Sequence, residues 1–488
     1  MNKTALKFIS AILLAAIAAG CVACCSSESG LSTNDGTSAP SDSSAVESAG
    51  EKSYTDDLPD ADFEGYEFRI FSRVQAWYHG EWLTEEQNGD ILNDAIYLRN
   101  TTVSERFNIT FSEMTANNTD TARNTILAGD DAFDVINARC SHAWTYAGEG
   151  LLYSVRDLPY IDLSKGYWDE SLNECLTICG NKYFAVGANN LTGYDYTHAL
   201  VFNKQLAEDY QLRSPYELVK NGEWTFDTYS DMVKNVTSDV NGDSVMNEED
   251  TYGFLSQAKA VLPGFWISAG VLSVNKNNDD EPVFTMPNDS KFINVFEKIY
   301  QMTWDNDSWY VNNSVTNNDS LLSNMFQSGK GLFMDMTFFF IESLREMEAD
   351  FGIIPYPKYD ESQQEYYSRI EGCELSCVPV TISDPECTSM IIEALACESA
   401  RLVQPAYYDV SLITKYTRDE ESMEMLDIIF NHRVFDLGDT IWCDQLRDGV
   451  FKGMFLNNDR AISSKFASME SVMNEQIEST IEAFRSVN

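Results

Sequence analysis

The sequence predicts an α/β protein built as two lobes, and three observations carry that reading. Strand-like and helical patterns alternate from residue 66 to residue 138, the order expected of a substantially parallel sheet. The body, residues 63–488, is too long for one ordinary hydrophobic core. From Glu386 onward the pattern is mostly helical, which gives the chain a helical C-terminal region.

Each element has its own warrant. Tyr66, Phe68 and Ile70 alternate with Glu67 and Arg69, which predicts a strand over 67–72. Ala95, Ile96, Val103 and Phe107 give residues 93–107 one apolar side, hence a helix. Residues 108–111 read as extended, 119–128 as a helix and 134–138 as a short apolar strand. Extended segments follow at 183–187 and 198–203. Helices then dominate, with 226–236 and 292–304 the clearest; Phe292, Val295, Phe296 and Ile299 fall at helical spacing. Residues 331–336 and 351–355 return to strand, before helices at 390–397, 423–430 and 467–484. There is no internal repeat.

The N-terminus has the layout of an export signal. Lys3 and Lys7 precede an apolar run over 8–19, too short to span a bilayer comfortably, and Ala18-Ala19-Gly20 ends it on small residues. Cys21 comes next. The layout resembles a bacterial lipobox, which implies a signal peptide over 1–20 and acylation of the Cys21 thiol by palmitate-like chains. Cys24, after Val22-Ala23, is a second candidate acceptor, and an ordinary secretory signal cut near Ala23 is the alternative. Either way the mature chain is expected outside the cytoplasm. Residues 21–62, rich in Ser, Gly, Asp, Glu and Ala, bury too little to offset ordering entropy and read as a flexible tether.

Acidic side chains outnumber basic ones 77 to 33, for a net charge of −44. So negative a surface argues against nucleic acid or anionic membrane as a partner, and leaves the membrane to the lipid anchor. Of the eleven cysteines, Cys21, Cys24 and Cys25 sit at the signal. None of the others forms a CxxC pair, and with only four histidines a structural zinc site is disfavoured. Cys175/Cys179 and Cys373/Cys377 are four apart, which on a helix would put both thiols on one face. Buried small hydrophobes is the preferred reading.

The sharpest local motif is the loop 239–250. Asp239, Asn241, Asp243, Asn247 and Asp250 place oxygens at positions 1, 3, 5, 9 and 12, and Val245 would offer its carbonyl at position 7. A hard cation needs six to eight such oxygens, so calcium is expected as a structural ion held by Asp239, Asn241, Asp243, Val245 and Asp250. Ser244 in place of the turn glycine and Asp250 in place of the longer glutamate depart from the EF-hand pattern. The alternative is a solvated acidic turn.

The loop leads into Thr251-Tyr-Gly-Phe254 and Pro263-Gly-Phe-Trp-Ile-Ser-Ala-Gly270. That succession resembles the family 1 extracellular solute-binding proteins of carbohydrate ABC importers. Tyr194-Asp-Tyr-Thr-His-Ala-Leu-Val-Phe-Asn-Lys204 is similar to the family's crossover into the second lobe. Phe326-Gln-Ser-Gly-Lys-Gly-Leu-Phe-Met-Asp335 resembles its return segment, and Phe351-Gly-Ile-Ile-Pro-Tyr-Pro-Lys358 its Pro-x-Pro strand end. The resemblance implies a two-lobed periplasmic-binding-protein-like (type II) fold with ligand held between discontinuous lobes. Residues 63–200 plus 327–385 are assigned to the first lobe, and 201–326 plus 386–488 to the second. It also implies a monomer that binds a sugar or oligosaccharide and hands it to the membrane subunits of an importer.

Sugar sites pair aromatic platforms with polar side chains. Aromatic residues placed after strands are therefore the ligand candidates: Trp77, Trp82, Trp144, Tyr194, Trp266 and Phe338, with Asp195 and Glu371 as polar partners. An extracytoplasmic glycoside hydrolase is the main rival, but 77 carboxylates make any acid pair uninformative. No Gly-x-Ser-x-Gly, HExxH or P-loop motif appears. A docking module would show paired calcium loops, and one is found. A sensing lipoprotein would share the fold. Mono-, oligo- and modified sugars fit equally, and peptides and polyols stay open as ligands.

Overall fold

The computed structural model describes residues 54–487 except 77–78, 311–318, 345–346 and 409–419. Cys21, the signal, most of the tether and Trp77 lie outside the described residues. Two four-stranded sheets organise the body. In the first, β1 (Tyr66–Arg73) runs parallel to β2 (Ile109–Ala116) and β3 (Val135–Arg139), with Tyr66 opposite Ile109 and Ile70 opposite Val135. The second contains β4 (His198–Asn203) and β5 (Tyr252–Leu255). A short hairpin, β6 (Val274–Lys276) and β7 (Pro282–Phe284), stands apart from both and had no signal in the sequence reading.

The lobe boundaries assigned to 327–385 and 386–488 need correction. β8 (Gly331–Thr337) and β9 (Phe351–Ile354) stay in the second sheet, β8 parallel to β5 and antiparallel to β4. All seven positions of β8 are buried, as a central strand covered on both faces requires. The chain returns later, through β10 (Ser368–Arg369), and β11 (Glu374–Cys377) joins the first sheet antiparallel to β3. The helix Pro385–Glu398 then packs on the first lobe, not the second. Its Cys387, Met390, Ile391 and Leu395 share a core with Phe68, Val103 and Phe107. Helix Glu420–Asn431 lies on β9, and β12 (Arg433–Val434) pairs with β10.

Local chemistry sets the helix ends. Asp90 caps Ile91–Phe107 by accepting from the Asn93 N–H, and Asn108 ends that helix in the left-handed region at φ 51°. Thr225 caps Phe226–Val236 in the same way. Residues 183–187 are buried but form no strand ladder; the Asp169 N–H donates to the Val186 carbonyl at 2.9 Å. The eight described cysteines are free. Neither four-apart pair shares a helix face: Cys175 closes the helix Glu170–Cys175, Cys179 lies beyond it at φ 51°, and Cys377 is on β11. Among the described residues no helix is long and apolar enough to cross a membrane.

Candidate ligand cleft

The parallel strands of both sheets end on one cleft of about 960 Å³. β1 delivers Arg73 and β3 delivers Arg139, each the last residue of its strand. From the second sheet, Gln257 and Lys259 follow β5, and Asp335, Met336 and Thr337 close β8. A strand's C-terminal end is where an α/β sheet opens and side chains face a ligand. The volume falls at the upper end of small-molecule sites.

The cleft floor is a charge network. Lys259 Nζ donates to Glu371 Oε1 at 2.7 Å, and the other Glu371 oxygen is 3.2 Å from His198 Nε2. His198 Nδ1 lies 2.8 Å from Asp335 Oδ1, and the Ser256 hydroxyl donates to Asp335 Oδ2 at 3.1 Å. Beneath them the fully buried Arg369 donates to Asp439 at 2.6 Å. Arg447 bridges Asp448 at 2.8 Å and approaches Glu371 at 3.6 Å. Burial opposes the charge on Glu371, yet Lys259, His198, Arg369 and Arg447 hold its carboxyl well below the usual range. Burial likewise opposes a charged His198, but Asp335 keeps its pKa above the ordinary histidine value. At the first-lobe wall, burial lifts Glu374 to about 7 although Arg73 bonds it at 2.5 Å.

Of the residues expected to hold ligand, Glu371 lines this cleft; Trp82, Trp144, Tyr194, Asp195, Trp266 and Phe338 do not. Trp82 packs in the first-lobe core and Phe338 in the core against the second sheet. Trp144 stacks on Phe184 at 6.4 Å with Phe484 beside it. Trp266 is wholly buried, stacked on Phe296, and its indole N–H donates to Asp436 at 3.0 Å. Tyr194 and Asp195 fasten the chain crossing instead. Arg433 stands 4.0 Å over the Tyr194 ring, and Asp195 accepts from the His79 backbone at 2.8 Å and from Tyr407 at 2.9 Å.

The expectation that ligand is met after strands points to the strand ends that line this cleft, and of the residues it named Glu371 stands there. The cations on the cleft drew no attention because Arg73 and Arg139 resemble ordinary strand-end charges, Lys259 opens an apolar helical run and Arg447 lies among the acids Asp444 and Asp448. Their signal was available: basic residues at the ends of predicted parallel strands in an acidic chain.

In the loop 239–250, Asp239 accepts from the Gly242 and Ser244 N–H groups, and Asp250 from those of Val240 and Asn247. Asp243 accepts from the Val245 N–H and Asn241 from that of Asp243. Each of these oxygens keeps a further lone pair, so the donor set fits a hard cation. Its carboxylates, however, are not gathered within 4.8 Å of one another as a threefold group.

No family model matches the chain, and no curated protein matches its sequence. Solved structures do match. A cyclo/maltodextrin-binding protein complexed with maltotetraose aligns with a TM-score of 0.59 at 13% identity, over 85% of this chain and 98% of that one. A sugar transporter protein from Rhizobium etli, in an open conformation, gives 0.56 at 13% identity over 86% and 100%. An ABC substrate-binding protein from Listeria monocytogenes in complex with cycloalternan gives 0.54 at 13% identity over 85% and 99%. The fold is that of sugar ABC-transporter solute-binding proteins. At this identity the likeness shows the fold, and in this chain the cleft lies where β1, β3, β5 and β8 end.

Proposed function

We propose that the chain is an extracytoplasmic solute-binding protein, lipid-anchored through Cys21, that captures a carbohydrate-like ligand in the cleft and delivers it to an ABC importer. The observation that carries the reading is the single cleft lined from both sheets at parallel strand ends, within a solute-binding fold. The protein acts as a monomer and binds without chemistry. Its cleft carboxylates are committed to cations, Glu374 to Arg73 and Glu371 to Lys259, which supports binding over general acid catalysis. Ligand affinity comes from lobe closure, favoured only as far as the closed form binds better.

A thermal-shift screen against a sugar panel tests this. A rise in melting temperature with one sugar class, with that sugar intact after overnight incubation, is expected. Product formation would replace the reading with a hydrolase. Calcium at Asp239, Asn241, Asp243, Val245 and Asp250 is proposed as a separate structural ion. It predicts a lower melting temperature with chelator, and an unchanged one removes the ion from the account.

A further inference from the structure

We propose that the cleft selects saccharides carrying an oxyanion, a carboxylate or a sulfate ester, with Arg139 and Lys452 as its free cationic contacts. This rests on the solute-binding reading above and names the ligand class for that site.

The first support is enrichment. Across the chain acidic side chains outnumber basic ones 77 to 33. Along the cleft the balance reverses: Arg73, Arg139, Lys259, Arg447 and Lys452 face Asp335, Glu371, Glu374 and Asp448. The second support is pairing. Every one of those carboxylates is engaged: Asp335 with His198, Glu371 with Lys259, Glu374 with Arg73 and Asp448 with Arg447. Arg139 is exposed and Lys452 half-buried, and neither side chain has an ion pair or hydrogen bond among the described residues. The protein's own anions are therefore committed, and two cations are left for a ligand.

The third support is the local field. Arg73 and Arg139 end the neighbouring strands β1 and β3 on the first-lobe wall, and burial together with their two charges lowers the pKa of His142. Stacking surface is scarce by comparison, since Tyr196 and Phe340 are the aromatic side chains on the wall among the described residues. A planar guanidinium matches carboxylate and sulfate oxygens with paired N–H donors, and an ammonium adds a point charge. A neutral sugar that covered these cations would strip water from them and return no charged partner, a cost that disfavours it against an anionic one.

The test is calorimetric titration of the intact chain with three length-matched probes: a neutral gluco-oligosaccharide, an unsulfated uronate oligosaccharide and a sulfated galacto-oligosaccharide. One anionic probe is expected to bind at least about tenfold more tightly than the neutral one. Arg139→Gln and Lys452→Gln should each remove about threefold of that preference without changing the melting temperature of the free protein. Preference for the uronate assigns a carboxylate, and for the sulfated probe a sulfate ester. A neutral probe that binds as tightly as both anionic ones, unaffected by either substitution, overturns the oxyanion proposal and leaves the solute-binding reading intact. Silence toward all three overturns both.

Discussion

Glu81 shows how one buried side chain sets a pH dependence. One of its oxygens accepts from the Asn137 amide at 2.6 Å and the other from the Thr192 N–H at 3.0 Å. Burial nevertheless lifts its pKa from 4.5 to about 8, and the neighbouring Glu374 adds to the rise. Below pH 4.5 both the folded and unfolded states hold this proton. Between there and about 8 only the folded state holds it, so stability from this source falls as pH rises through that window. Each unit is worth about 1.4 kcal/mol. Glu81→Gln should flatten the decline in unfolding free energy between about pH 5 and 8, measured by urea denaturation at each pH. The amide can be accommodated because Asn137 Oδ1 is buried without a partner and can accept from it once the Asn137 amide turns over. An unchanged slope would mean that Glu81 is ionised in the folded protein throughout.

At the scale of elements, Trp266 separates a core role from a ligand role. It lies in the helix Ala258–Ser268, whose residues are buried nearly throughout, between Phe296 and Phe451. Trp266→Ala should cost about 3–5 kcal/mol in a urea melt. Affinity for any cleft ligand should move by less than about twofold, since the ring is not on the cleft wall. Collapse of affinity with stability retained would return the ring to the binding site. The alternating strands and helices were legible because side-chain period is local: β1, Ile91–Phe107 and Phe226–Val236 fall within two residues of their expected ends. The sheet that β8 joins was not legible. A strand buried on both faces has no periodicity to mark its partner, and pairing with β5 across intervening chain is a non-local choice. Trp144 and Trp266 misled for a related reason. The segment after a strand leads both to the cleft and into the next packed helix, and an aromatic residue suits either.

For the whole molecule, a net charge of −44 bears on the proposed closure of the cleft. Under that proposal closure would bring the two lobes of an acidic chain together, so self-repulsion would favour the open form and ligand the closed one. The segments that cross between the two sheets are tied by the bridge between Thr197 and Ile370 and by the His79–Asp195–Tyr407 clasp. Raising salt from about 0.01 to 0.15 M shortens the Debye length from about 30 to 8 Å, which screens repulsion between lobes more than the buried floor network. At a fixed, sub-saturating ligand concentration, salt should therefore shrink the radius of gyration measured by X-ray scattering and raise the melting temperature. Surface pairs such as Arg123–Glu149 and Arg460–Asp305 pull the other way, but exposed pairs are worth about 0–1 kcal/mol each and are too few to balance the excess of acids. Expansion or destabilisation on adding salt would show that ion pairs, not net repulsion, govern the opening of the cleft.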